Sequence, residues 1–315
     1  MRAAGALVLL MAATAAADPA PGKPTALPTE YVAHRFFVTP KLDKGARLRC
    51  YTDSGGGGAF VFEDGLKRFG LTPLPRKEGN TKFMTVAWPA FAAGASIPPP
   101  LETGAFMSIP RGEFPADIDC FLGQSWFAGR TWTFDYPGKT LWWRAPGDLP
   151  KHDKAHEAAL EFKKSADGKH ENWFARIVVT IDGEALPLLF DTGAMVTLSP
   201  EAQKALGPGP AVRGGSFITR RTFDKWHAKH ADWRVLDGAD EIGRGKLRMI
   251  EVPAVTVGGY TVGPVWFAER PDKNFDDFMS GFMAAHVEGA LGGSALHYLR
   301  VTVDYARGVA VFEKP

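Results

Sequence analysis

Only two cysteines, Cys50 and Cys120, occur in the 315 residues, and they lack the C-x-x-C spacing of zinc and redox sites. A disulfide-scaffolded miniprotein is excluded, and one structural disulfide is the most the pair offers. Charge of one sign is lacking too. The 37 Lys and Arg stand against 35 Asp and Glu, and the basic residues are scattered rather than gathered into a stripe, so nothing points to a nucleic-acid partner. No interior run is apolar over the ~20 residues that span a bilayer. The apolar stretch Ala3 to Ala13 is short. It follows Arg2 and leads into Ala15-Ala16-Ala17, then Pro19, Pro21 and Pro24, the pattern of a cleaved signal peptide rather than an anchor. The expectation is an exported protein, periplasmic or secreted, with no membrane span after cleavage. What is present is ordinary for a folded globular chain, 45% hydrophobic residues, at a length that admits two domains.

The chain repeats itself once. Arg47 to Thr52 alternates like a strand and meets Asp53-Ser54-Gly55; Leu186 to Phe190 is an apolar strand that meets Asp191-Thr192-Gly193. A short helical segment follows each triplet and closes on glycine, Gly70 or Gly207, at 17 and 16 positions from the aspartate. The second segment carries full helix punctuation, with Ser199 to cap and Pro200 at the first helical position. Phe121-Leu122-Gly123 then precedes Thr133-Phe134-Asp135-Tyr136, as Ala290-Leu291-Gly292 precedes Thr302-Val303-Asp304-Tyr305, each with 12 positions from glycine to aspartate. The pattern predicts a signal peptide over 1–17, a Pro-rich linker over 18–28, and two similar units over 29–150 and 151–315. Alternating runs such as Ala175 to Ile181, and Val252 to Val257 before Gly258-Gly259, make the fold class mainly β. Residues Ile218 to Val235 are expected to form an inserted helix or an irregular excursion.

Several motifs have structural readings. Asp135 and Asp304 stand at strand-to-turn steps before Gly138 and Gly308 and read as turn formers. His227 and His230 lack a third ligand nearby and read as a solvated helix face. Gly123 to Phe127 lacks the second glycine of a nucleophile elbow. Trp142-Trp143 reads as a core or seam pair. No metal or cofactor is expected.

The two Asp triplets, each with its apolar-apolar-Gly, resemble the pepsin-like and retropepsin-like aspartic protease clan, whose lobes carry D-[TS]-G-[AST] on one loop and apolar-apolar-Gly on a neighbouring strand. The likeness extends over roughly residues 30 to 315. It implies two β-barrel lobes with an active-site cleft between them, a monomer acting on peptide or protein, and a catalytic pair formed by Asp53 and Asp191. Ser54, Gly55, Thr192, Gly193, Ala194, Gly123 and Gly292 would support the loops. Two close carboxyls sharing one proton can act as base towards water and acid towards the carbonyl. Ser54 and Thr192 are expected to bond locally, and Gly55 and Gly193 to let a backbone N–H reach the carboxylate. The clan covers its substrate with a hairpin flap, which the sequence places over Thr85 to Ile109 with Trp88 as its aromatic. Gly56 departs from the pattern, and with Gly57-Gly58 it loosens the loop. The resemblance also brings Cys50 near Cys120, implying a disulfide, with two reduced buried thiols as the alternative. Two further functions stay open: an inactive relative that binds peptide or protein in the cleft, and a homodimer using Asp191 alone.

Overall fold

The computed structural model describes residues 17–242 and 245–315. The expected signal peptide, apart from Ala17, lies outside the described residues. The chain is mainly β, in sheets of eight, nine, six and two strands. Alternation does much of the work. In the strand Arg176–Ile181 the side chains of Ile177, Val179 and Ile181 are buried while Val178 and Thr180 face out, the period-2 pattern of a half-buried strand. Gly258 and Gly259, with φ of 52° and 71°, make the two-residue turn between Val255–Val257 and Tyr260–Val262, where a side chain would be strained.

Each half builds one sheet around the same parallel pair. In the first, Cys50–Thr52 runs beside Cys120–Leu122; in the second, Glu184–Phe190 runs beside Gly289–Leu291. The expected barrels do not close. The eight-stranded sheet ends at Thr29–Val32 on one side and Pro73–Glu78 on the other, and the nine-stranded one at Val235–Asp240 and Tyr260–Val262. The edge Pro73–Glu78 carries Pro73 and Pro75, then Arg76, Lys77 and Glu78, all exposed, a composition that blocks further strand addition.

The six-stranded sheet joins the halves. Thr131–Asp135 pairs antiparallel with Arg300–Asp304, and Thr133 stands opposite Thr302, its own repeat counterpart. Their hydroxyls meet at 2.7 Å. The largest buried cluster runs through both halves, with Phe36, Trp132 and Phe134 beside Phe190, Val303 and Tyr305. Residues 18–28 are only partly the linker that was expected: Thr25–Ala26 adds an edge strand against Trp142 and Trp143, and Leu27 is buried. Between Ile218 and Val235 lies the helix Arg220–Lys229. No helix among the described residues is long and apolar enough to cross a membrane.

Candidate active site

Asp53 and Asp191 leave their strands in the same way. The N–H of Asp53 donates to Leu122 O at 3.0 Å and that of Asp191 to Leu291 O at 2.9 Å, so the strand of each apolar-apolar-Gly motif fixes where its aspartate begins. Each loop then turns back on its own carboxylate. Gly55 N–H donates to Asp53 Oδ1 at 2.9 Å and Gly193 N–H to Asp191 Oδ1 at 3.0 Å. Glycine is required at both positions for a reason the sequence did not supply. A Cβ on Gly55 would stand 2.3–2.6 Å from the Asp191 carboxyl, and one on Gly193 would stand 2.2–2.5 Å from Asp53. Each glycine lies against the other loop's acid.

Ser54 and Thr192 were expected to bond locally. They cross instead: Thr192 N–H donates to Ser54 Oγ at 2.9 Å, Ser54 N–H donates to Thr192 Oγ1 at 3.2 Å, and Ser54 Oγ–H donates to Phe190 O at 2.9 Å. Both side chains are buried, which explains the choice, since a buried hydroxyl needs a partner and the facing loop offers one. Gly123 and Gly292 sit where a Cβ would meet the carbonyls of Gly57 and Gly215 at 2.3 and 2.2 Å, and Gly292 also packs on Ala194. They allow the loops to lie directly on the strands.

Burial raises both carboxyls above the ordinary aspartate range. Asp53 is pushed well above it by burial, by the charge of Asp191 and by their mutual hydrogen bond. For Asp191 that same bond, with the N–H groups of Gly193, Ala194 and Gly55, opposes the rise. Like charges that face one another do not both ionise readily, so the two titrations are linked and belong to the pair rather than to either residue.

Gly56, the departure from the pattern, has a packing cause. A Cβ there would fall 2.3 Å from the ring of Phe121, so Phe121 fills the space a side chain would take. Cys50 and Cys120 are direct register partners on the parallel strands and form a disulfide, with Cα atoms 4.3 Å apart.

Trp88 is not on a hairpin tip. Its indole N–H donates to Ile97 O at 3.1 Å and its ring stacks on Phe106 at 4.3 Å, against the main core. The exposed hairpin lies earlier, Pro73–Glu78 paired with Thr81–Ala87 across Gly79-Asn80. Within the expected flap, Thr85 to Ile109, Trp88 closes the core and Ala105–Ile109 is an inner strand. Asp135 and Asp304 accept the N–H of Gly138 and Arg307, three residues on, as turn formers do. His230 bonds Asp182 at 2.8 Å on the helix surface. Among the described residues no group of three or more His, Cys, Asp or Glu is arranged to hold a metal.

Sequence reasoning passed over three features. Tyr51 Oη–H donates to Gly193 O at 2.6 Å, joining the halves beneath the pair; its place two residues before Asp53 was the available signal. Gln124 braces the glycine loop, its N–H donating to Gly56 O at 2.9 Å and its Oε1 accepting from Trp173 N–H at 2.6 Å. A cavity of about 670 Å³ opens beside the loop, lined by Gly55, Gly57, Gly58, Phe174, Phe278 and Phe282.

No family model and no curated protein matches the chain. Solved structures similar to it include two proteins of the pepsin-like fold. Conglutin gamma, a basic 7S globulin from lupine seeds, is 11% identical over 93% of this chain and 96% of that one, with a TM-score of 0.45. The protein described as EDGP is 10% identical over 92% of this chain and 94% of that one, with a TM-score of 0.46.

Proposed function

We propose that the chain is an aspartic endopeptidase in which Asp53 and Asp191 act as one proton-sharing pair, set between two similar lobes whose cleft receives a peptide. The observation that carries the reading is the reciprocal packing of the two loops, each glycine against the other loop's carboxyl, with Ser54 and Thr192 cross-bonded beneath. Chemistry follows from the proton count. The ionised member takes a proton from water as it attacks the peptide carbonyl, and the protonated member gives one to the developing oxyanion, so both roles are filled at once. Phe174, Phe278 and Phe282, beside the Asp53 loop, give an apolar wall for substrate side chains. The N-terminal sequence pattern supports reading the protein as an exported peptidase of the periplasm or exterior.

The homodimer alternative leaves Asp53 unused although its carboxyl lies against Gly193. The inactive-relative alternative rested on a loose glycine loop, and Phe121 and Gln124 pack and brace that loop. A proteolysis screen across pH decides, with Asp53→Asn and Asp191→Asn as controls. Acid-side hydrolysis abolished by either variant supports the proposal, whereas turnover that survives Asp53→Asn sinks it in favour of the homodimer. Tight binding of a statine-type mimic, lost in either variant, separates the active pair from a mere peptide binder.

A further inference from the structure

The hairpin of Thr29–Val32 and Arg35–Val38 turns on Ala33 and His34, both at positive φ, 48° and 66°. Asparagine and glycine are the ordinary choices for such a turn, so the alanine and histidine are held there under strain. The second half does the holding. Gly214 N–H donates to Ala33 O at 2.7 Å, and Gly214 and Gly293 make a seat for His34 O, which a Cβ on either would meet at 2.6 or 2.4 Å. The imidazole of His34 is thereby laid on that of His297, with ring centres 4.1 Å apart. Both rings line a cavity of about 260 Å³, whose other walls include Arg213, Arg234, Trp266 and Met249. It shares no lining residue with the cavity beside Gly55. It adjoins the Asp191 loop through Gly215, whose N–H donates to Ala194 O at 2.8 Å.

The charges around this cavity do not balance. Arg213 is half-buried and spends donors only on main-chain oxygens, Pro210 O at 2.8 Å and Gly207 O at 2.7 Å, with no carboxylate paired to it among the described residues. Arg234 lies over the Trp266 ring at 4.8 Å and reaches Glu251, the one acid lining the cavity, at 3.5 Å. Two guanidiniums against one carboxylate leave a single positive charge in excess. His297 Nδ1–H donates to Gly293 O at 3.1 Å and His34 Nδ1 meets Tyr31 Oη at 3.1 Å, so Nε2 is the nitrogen each ring has left for a ligand. Burial, His297 and Arg213 push His34 down to about 4, and burial lowers His297 against its main-chain bonds. The charged and titratable groups facing the two rings are Tyr31, Arg213, Arg234, Glu251 and Tyr298. An anion beside the stack offsets the repulsion that favours the neutral rings. A dianion would be opposed by Glu251, and Val196, Leu206, Met249 and Trp266 give a bare inorganic ion nothing to fill the apolar part. We propose that the cavity binds a small monocarboxylate on an apolar or aromatic body, its charge held by Arg213 and the His34–His297 pair and its body laid against Trp266 and Met249.

The site does not use the aspartate pair, so it stands or falls apart from the peptidase reading. Phenylpropionate is titrated into the full chain by calorimetry, with its uncharged amide and inorganic phosphate as comparisons. Saturable binding of the acid is expected, with neither comparison bound. The anion should return His34 towards the ordinary imidazole value, so affinity is expected to rise about tenfold from about pH 7.5 to about pH 5.5, the complex taking up a proton that the free protein does not hold. Arg213→Gln should weaken binding about tenfold or more. His34→Asn, which keeps a residue that accepts positive φ, should flatten the pH dependence. Equal affinity for the amide, a preference for phosphate, or binding untouched by Arg213→Gln overturns the proposal, as does an absence of saturable binding at either pH. Should Arg213→Gln fail to fold, the acid-against-amide comparison and the pH dependence of the unaltered protein still decide. A peptide ending in a free phenylalanine carboxylate that competes for the site makes a chain end the source of the ligand, and one that does not compete makes it a free organic acid; both results support the assignment.

Discussion

The first aspartate loop and the second share a backbone and differ in what fills it. Both aspartates are tied to a parallel strand through their own N–H, and both carboxyls accept from the glycine two residues on. Around that frame the side chains are exchanged. Where the first half has the Cys50–Cys120 disulfide, the second has Leu188 and Gly289 in the same register places. Where the first pairs Gly56 with Phe121, the second has Ala194 and Ala290. Volume removed from the loop returns on the strand. Hydrogen bonds that orient the acids tolerate no exchange, whereas the packing beneath them needs only a constant volume.

The sharpest test of equivalence is activity. Asp53→Asn and Asp191→Asn should each lower peptide hydrolysis by about 10²–10⁴-fold or more, and the double variant should be no worse, because one shared proton serves both roles. Steady-state rates at the acid optimum check this, and a strongly unequal loss breaks the comparison. Replacing both Cys50 and Cys120 by Ala should lower unfolding free energy by about 4 kcal/mol on the chain-entropy account, against about 2–5 kcal/mol for Leu188→Ala. Urea unfolding measures both; a negligible loss at the cysteines would mean that the disulfide does not brace the first loop.

Gly56→Ala should cost about 1–3 kcal/mol through collision with Phe121, and Phe121→Ala should relieve it. The doubly substituted chain should be more stable than the sum of the single losses, a coupling read from a double-mutant cycle. Additive losses would separate the two positions.

The smallest effect concerns pH. Both carboxyls titrate above 3.8 in the folded state. Between 3.8 and those raised values the native protein binds more protons than the unfolded chain, so the pair's stabilisation is fully present below 3.8 and is lost as pH rises through the folded values. Asp53→Asn should therefore gain in melting temperature over the parent as pH rises from acid to neutral, and match it most nearly in acid. A gain that shrinks with rising pH contradicts the burial of the pair.

Much of this frame was legible because its residues are punctuation. Asp-Ser-Gly, Asp-Thr-Gly, Ser199-Pro200 and the two Leu-Gly steps say where strands stop and helices start, and Ser199 does cap, its Oγ accepting from Ala202 N–H at 3.3 Å. Contacts set by tertiary packing were not legible. Pro73 and Pro75 argue against a strand, yet an exposed edge tolerates proline, so the hairpin went unseen and the flap was placed on Trp88, a half-buried residue packed against the core. Thr25–Ala26 is too short to show a period. Ser54 and Thr192 could satisfy their hydroxyls at home, and only the approach of the second loop shows that they do not. Nothing near Gly56 in sequence announces Phe121, 65 positions away.

The pairing of Thr131–Asp135 with Arg300–Asp304 bears on the order of assembly. The central threonines are 169 positions apart, so this contact is among the most expensive in loop closure and among the last to form. Until then Thr131–Asp135 presents an open strand edge, and its register is self-complementary, since each residue meets the counterpart repeat about Thr133 and Thr302. A chain cut between the halves would leave that edge free to meet its own copy in the same alignment, Thr133 against Thr133. In the folded chain Arg300–Asp304 occupies that edge, so the same pairing that joins the halves also covers a self-complementary strand.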